Sequence, residues 1–244
     1  CFLFMAPGLI IITGASSGIG AATARQLSEE GHPLLLLARR VEKCEELALP
    51  NSMSVKLDVT DLKSFKEAVA KAEEAYGPTE AIINNAGVML LGSAATQDPE
   101  EWTKMINVNI LGVLNGIKCV VEGMIERERG TVVNVSSIAG RKTFPNHAIY
   151  CATKFAVHAL TESIREETSK HNLRFVTIAP GVVETELLGH TSSEAIKEGY
   201  NQWKQTFKVL TAEDISRSIS FAIHQPEHVC IREIVIGPTK QAQQ

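Results

Sequence analysis

The sequence predicts an α/β fold, a single doubly wound parallel sheet of about seven strands with helices on both faces. Three observations carry that prediction. Strand-type and helix-type stretches alternate from one end of the chain to the other. Most strand-type stretches are unbroken apolar runs, as required of parallel strands buried on both faces. The first of them runs into a glycine-rich turn that opens a helix. Right-handed crossovers then bring any ligand to the carboxyl ends of the strands.

Each element has its own warrant. Leu9–Thr13 is a short apolar strand. The helix 18–30 follows, with Ala21, Ala22, Ala24 and Leu27 on its inner face and Gly31 ending it. Strands are expected at 33–38 and 53–57, with a short helix at 42–47 between them. Asp61 caps a helix that reaches Tyr76 and stops at Gly77-Pro78. A strand at 81–84, a long helix at 99–128 and a strand at 130–135 come next. Beyond them the pattern gives a helix at 149–171, a strand at 174–179, helices at 184–205 and 211–224, and a last strand at 229–236.

Bulk properties set outer limits. A chain of 244 residues with 44% hydrophobic content supports one sizeable core, so 1–244 reads as a single domain, with residues 1–8 as an extension in front of it. A formal charge of -4 argues against a nucleic-acid partner. No apolar run reads as long enough to span a membrane, and Cys1–Met5 lacks the basic flank of a signal peptide. The 5 cysteines are odd in number and scattered, which suits reduced thiols in a cytoplasm and gives neither a disulfide frame nor a metal site.

Two stretches carry chemistry. In Gly14-x-x-x-Gly18-x-Gly20 the missing Cβ atoms let backbone approach a pyrophosphate, and the helix start at Gly18 supplies N–H donors. Tyr150 and Lys154, four apart on a helix, share one face one turn apart. A fixed ammonium stabilises a phenolate, and a serine upstream can donate to a substrate oxygen. The second strand ends in Ala38-Arg39-Arg40 without the acid that holds a ribose 2′-hydroxyl, and two guanidiniums there suit a 2′-phosphate, hence NADP(H). Phe144, Asn146 and His147 read equally as pocket or loop residues. Tyr200 and Trp203 read as a packed surface face in preference to a lid, and Glu126–Arg129 as a solvated helix end.

With these motifs in place, the chain resembles the short-chain dehydrogenase/reductase family over essentially its whole length, with a Rossmann-type sheet. The resemblance rests on Thr13-Gly14-x-x-x-Gly18-x-Gly20, Asp58-Val59, Asn84-Asn85-Ala86-Gly87, Asn109, Ser137, Tyr150-x-x-x-Lys154 and Pro180-Gly181-x-x-x-Thr185. It implies a catalytic tetrad of Asn109, Ser137, Tyr150 and Lys154, with Asn109 holding a water relay to Lys154. Ser137 is preferred to Ser136 because the family's serine lies thirteen residues before its tyrosine. The implied cofactor contacts are Ser16, Ser17, Ile19 and the turn glycines, Arg39, Arg40, Asp58 and Val59 at the adenine end, and Asn85, Ala86 and Gly87. Tyr150, Lys154, Pro180, Gly181, Val183 and Thr185 complete them, the last two holding the carboxamide. Within the family, Gly31–Arg40 and Cys230–Glu233 resemble the bacterial NADPH-dependent blue fluorescent proteins, and the Pro238-Thr239-x-Gln241 tail resembles NADP-dependent 3-hydroxy-acid and serine dehydrogenases.

The expected reaction is reversible hydride transfer between NADP(H) and a small carbonyl or secondary alcohol, with Tyr150 moving the proton and Lys154 keeping its phenol near neutral acidity. The family usually pairs subunits through its long helices, which implies a homodimer or homotetramer. Two other classes compete. A binding module that holds NADPH without turnover has no need of Tyr150. An epimerase or dehydratase of similar fold carries an extra substrate domain that 244 residues do not hold.

Overall fold

The computed structural model describes residues 8–241, so residues 1–7 of the expected extension, Cys1 among them, lie outside the described residues. Seven strands form one sheet: β1 Leu9–Thr13, β2 Leu34–Ala38, β3 Ser52–Lys56, β4 Thr79–Asn84, β5 Gly130–Val135, β6 Leu173–Pro180 and β7 Glu233–Ile236. Their order is β3-β2-β1-β4-β5-β6-β7, and every neighbouring pair is parallel. The order reverses between β1 and β4, which opens a crevice at their carboxyl ends.

The helices are α1 Gly18–Glu29, α2 Val41–Glu45, α3 Leu62–Tyr76, α4 Pro99–Ile106, α5 Gly112–Glu126, α6 Ala148–Thr168, α7 Glu194–Lys204 and α8 Ala212–Ile223. Alternate side chains of each strand feed two cores. Ile11, Leu35, Ile82 and Val132 meet Phe65 of α3, Val113 of α5 and Val157 of α6 on one face. Ile10, Leu36, Ile83 and Val133 meet Leu27 of α1 and Ile219 of α8 on the other. The α1–α8 seam is also pinned by polar contacts, Ser216 donating to Gln26 Oε1 at 2.7 Å and Ser220 to Glu30 Oε1 at 2.8 Å.

Four expectations need correction. The helix expected at 99–128 is continuous to Glu126 but passes through a π-helical turn at Asn107–Leu111 between α4 and α5. That stretch of 28 residues is also long and apolar enough to cross a membrane, contrary to the expectation, although its inner face is buried on the sheet. The helix expected at 184–205 is a 3₁₀ turn at Glu186–His190 and then α7, because two residues each start a helical turn of their own. Thr185 Oγ1 accepts from Leu187 N, and Ser193 Oγ accepts from Ile196 N. The last strand starts at Glu233 and not at 229, since pairing with β6 begins only at Thr177 opposite Glu233.

Candidate active site

The crevice holds a cavity of about 810 Å³, walled at one end by the glycine turn and at the other by Ser137, Tyr150 and Lys154. The turn adopts conformations that need glycine: Gly14 and Gly18 have φ of +66° and +52°. Ser17 precedes α1 but makes no side-chain cap bond, so the first N–H groups of this helix remain available to an anion. Thr13 ties the turn to the loop after β4, its hydroxyl accepting from Asn85 N and Ala86 N, both at 3.0 Å. Asn85 returns the brace by donating to Thr13 O and Gly14 O. A narrow backbone cradle, uncapped donors and a pair of arginines fit a dinucleotide phosphate backbone.

Most expected cofactor contacts line this cavity: Ser16, Ser17, Ile19, Arg39, Arg40, Asp58, Val59, Asn85, Ala86, Gly87, Pro180, Gly181, Val183 and Thr185, with Gly14 and Gly18. Gly20 does not. A Cβ there would fall 2.2 Å from Gly14 O, so this glycine lets α1 sit against the turn and stays behind the wall. Arg40 is already engaged, donating to Ser17 Oγ at 3.1 Å and to Glu186 Oε2 at 2.8 Å. Glu186 belongs to the 3₁₀ turn beyond Thr185, so the pair spans the mouth of the nucleotide end.

Tyr150 and Lys154 lie on the inner face of α6, only 5% and 6% exposed. Lys154 donates to Val135 O at 3.0 Å, and its Nζ sits 5.8 Å from the Tyr150 ring centre. Ser137 stands beside the Tyr150 phenol and draws its acidity up, while its own hydroxyl donates to Pro180 O at 3.4 Å. Its hydroxyl also accepts from Ala139 N at 3.1 Å. Ser136, by contrast, turns back to donate to Lys154 O at 3.2 Å. Burial pushes the phenol up, against the pull of Ser137, and brings the Lys154 amine down to about 8. Lys154 contributes nothing to that shift, so the lowering of the phenol expected from it is absent and burial sets the direction.

Asn109 is buried behind the cavity wall within the π-helical turn. Both amide donors are used, Nδ2 donating to Val88 O at 2.9 Å and to Thr153 Oγ1 at 3.1 Å, while Oδ1 accepts from Val88 N at 2.8 Å. Its side chain thus ties the loop after β4 to α6, and has no free donor for a relay.

The far end of the cavity is walled by residues the sequence left open. Phe144, Asn146 and His147 line it, and so do Tyr200 and Trp203, against the expectation of a surface face. These two rings meet edge to face at 5.4 Å. They belong to an excursion that leaves and returns at one point, where Val183 bridges Leu210. Thr191 holds it down, accepting from Leu91 N and donating to Met89 O. Sequence reasoning also missed Gln241, whose Oε1 accepts from Val182 N at 3.1 Å on the cavity wall. Only its position in the Pro-Thr-x-Gln tail could have pointed to it.

Residues 8–196 match the family model for short chain dehydrogenases. An uncharacterized oxidoreductase of Listeria monocytogenes is 41% identical over 241 residues, covering 96% of this chain and 97% of the relative. A glycine betaine reductase of Emericella nidulans is 42% identical over 235 residues, 93% of this chain but 18% of that longer protein. Among solved structures, the closed form of serine dehydrogenase with NADP+ is similar at a TM-score of 0.91 and 27% identity, over 96% of each chain.

Proposed function

Since this chain belongs to the short-chain dehydrogenase family, we propose that it is an NADP(H)-dependent oxidoreductase that interconverts a carbonyl and a secondary alcohol. The observation that carries the reading is one cavity that joins a phosphate cradle with two arginines to a buried phenol flanked by Ser137 and Lys154. Gly14, Gly18 and the first N–H groups of α1 hold the pyrophosphate. Arg39 and Arg40 hold the 2′-phosphate, Asp58 and Val59 the adenosine, and Val183 and Thr185 the carboxamide. When bound there, the nicotinamide would supply the hydride, two electrons with one hydrogen nucleus, that the carbonyl carbon takes up. Ser137 orients the carbonyl oxygen, and Tyr150 gives it a proton that is later replaced from solvent. Lys154 fixes the ribose beside the phenol. Asn109 holds the loop after β4 and α6 in register for both.

The test is NADPH oxidation in the presence of a panel of aldehydes and ketones. Turnover is expected with NADPH and to be far weaker with NADH. Tyr150→Phe is expected to remove turnover while NADPH affinity stays within about threefold. Near-normal turnover in that variant rules out Tyr150 as the proton donor. The titration also reads light: a nicotinamide held away from its adenine by Val183 and Thr185, beside Ile138 and Val182, emits more strongly and further to the blue than the free cofactor. An unchanged emission yield at saturation removes that part of the proposal.

The acting unit is the whole sheet with its helices, paired as a dimer or tetramer through α4, α5 and α6 in a reducing cytoplasm. Exposed Ile106, Leu111, Leu114 and Phe155 on those helices support the pairing, and the free thiols of Cys44, Cys119, Cys151 and Cys230 support the compartment. The likeness to serine dehydrogenase favours a second reading, oxidation of a 3-hydroxy acid. The charge of the substrate half bears directly on it.

A further inference from the structure

We infer that the substrate half of the cavity takes an uncharged carbonyl compound with an aromatic or branched apolar body, and turns away carboxylates and quaternary ammonium groups alike. The inference rests on the oxidoreductase reading above and names its substrate class.

Among the described residues, four basic side chains line the cavity: Arg39, Arg40, Lys154 and Lys204. Arg39 and Arg40 follow β2, at the nucleotide end, and Lys154 is buried against Val135 O beside the phenol. Lys204 alone lies on the substrate side, and it is bound to Glu184 at 2.8 Å, so its charge is already answered. His147 on that side is held below its ordinary value by burial, and His190, nearer Arg39 and Arg40, is held down by burial and by those charges, which leaves both neutral at neutral pH. Away from Lys154, which stands at the reacting end, a carboxylate entering here meets no unpaired cation, and a buried unpaired carboxylate is strongly disfavoured.

Negative charge is equally committed. The lining acids are Asp58 and Glu186. Asp58 accepts from Thr60 at the nucleotide end, and Glu186 is bound to Arg40. An ammonium ligand would meet ring faces but no free acid, and Tyr200, Trp203 and Phe207 are already engaged edge to face with one another.

What remains is apolar. Met89, Leu91, Tyr150, Leu187, Leu188, Ile196 and Tyr200 belong to one hydrophobic cluster that runs from the catalytic phenol to the inner face of the excursion. His147 adds a neutral ring 6.4 Å from Tyr150 and 6.3 Å from Tyr200. Its Nδ1 lies 2.6 Å from Pro145 O, a bond that needs the proton on Nδ1 and leaves Nε2 as a neutral acceptor. Such a wall stabilises a ligand by removing apolar area from water and by ring contacts.

A matched set of ketones tests this, with NADPH as the reductant: benzylacetone, its para-carboxylate and its para-trimethylammonium derivative. The carbonyl is the same in all three, and only the far end differs. The expected kcat/KM for benzylacetone is at least about tenfold above either charged analogue. Trp203→Ala should lower it by about fivefold or more, chiefly through KM, with NADPH affinity unchanged within about twofold. Leu188→Arg, which places a cation in the wall, should raise the carboxylate relative to benzylacetone by about tenfold. A charged analogue reduced as well as benzylacetone by the unaltered protein overturns the inference and leaves the oxidoreductase reading standing. If all three are inert while other members of the aldehyde and ketone panel are reduced, the inference falls alone; if the whole panel is inert while NADPH still binds, the oxidoreductase reading falls with it.

Discussion

At the residue scale the most consequential group is Lys154. Its amine lies near 8, brought down from 10.5 by burial alone. Between those values the unfolded chain binds more protons than the folded one, so the stability of the free protein rises with pH through that window. Below about pH 8 the whole penalty is present, about 3 kcal/mol for a shift of this size. Replacing the amine with an apolar chain of similar length removes it, at the cost of leaving Val135 O without its donor. Lys154→Met is therefore expected to abolish turnover yet raise Tm at pH 7 by about 2–4 °C. The gain should shrink towards pH 10, and calorimetry across that range checks it. A Tm that falls at every pH means the Val135 bond outweighs the buried charge. For Tyr150, burial keeps the phenol protonated at neutral pH, so it is ready to act as an acid in reduction. Alcohol oxidation, which needs it deprotonated, should quicken as pH rises.

At the element scale, two starts decide where chemistry sits. The α1 start depends on Gly20, where any Cβ meets backbone oxygen of Gly14 and not a movable side chain. Gly20→Ala must therefore push α1 off the turn. We expect NADPH affinity to fall by about tenfold or more, with Tm also lowered, as measured by fluorescence titration and calorimetry; retained affinity would show that the turn can relax. The second element is the π-helical turn at Asn107–Leu111. Its extra residue rotates the helix so that Asn109 faces inward, where an uninterrupted α-helix would turn it elsewhere. Apolar periodicity carries no mark of such a turn, which is why 99–128 reads as one plain helix. The sheet was legible for the opposite reason. Leu34–Leu37 and Ile10–Ile12 are unbroken apolar runs, and only strands buried on both faces explain them. Thr185 and Ser193 are equally ordinary cap residues in sequence, so the break between the 3₁₀ turn and α7 became visible only when their side chains were seen to accept.

At the scale of the whole molecule, the nucleotide end was readable because its signals are local: Gly14, Gly18, Arg39 and Arg40 act where they stand in the chain. The substrate end was not, because Met89, His147, Leu188 and Tyr200 meet only through the fold. The exposed apolar side chains on α4, the π-helical turn, α5 and α6 point outward from the same long helices. We expect light scattering at micromolar concentration to give an assembly of two or four subunits, with Leu114→Glu shifting it towards monomer. A monomer in the unaltered protein contradicts this.

The contact between Arg40 and Glu186 makes the nucleotide end an ion exchanger. An empty pair of arginines would release bound salt ions when a phosphate arrived, and its affinity would fall steeply with ionic strength. Here one guanidinium already holds a carboxylate of the same molecule, so an incoming 2′-phosphate displaces an anion that is tethered and not diffusible. The charge on Arg40 is compensated before and after. NADPH affinity should thus depend on salt mainly through Arg39, and Glu186→Gln should both tighten binding in dilute buffer and make it more sensitive to added salt.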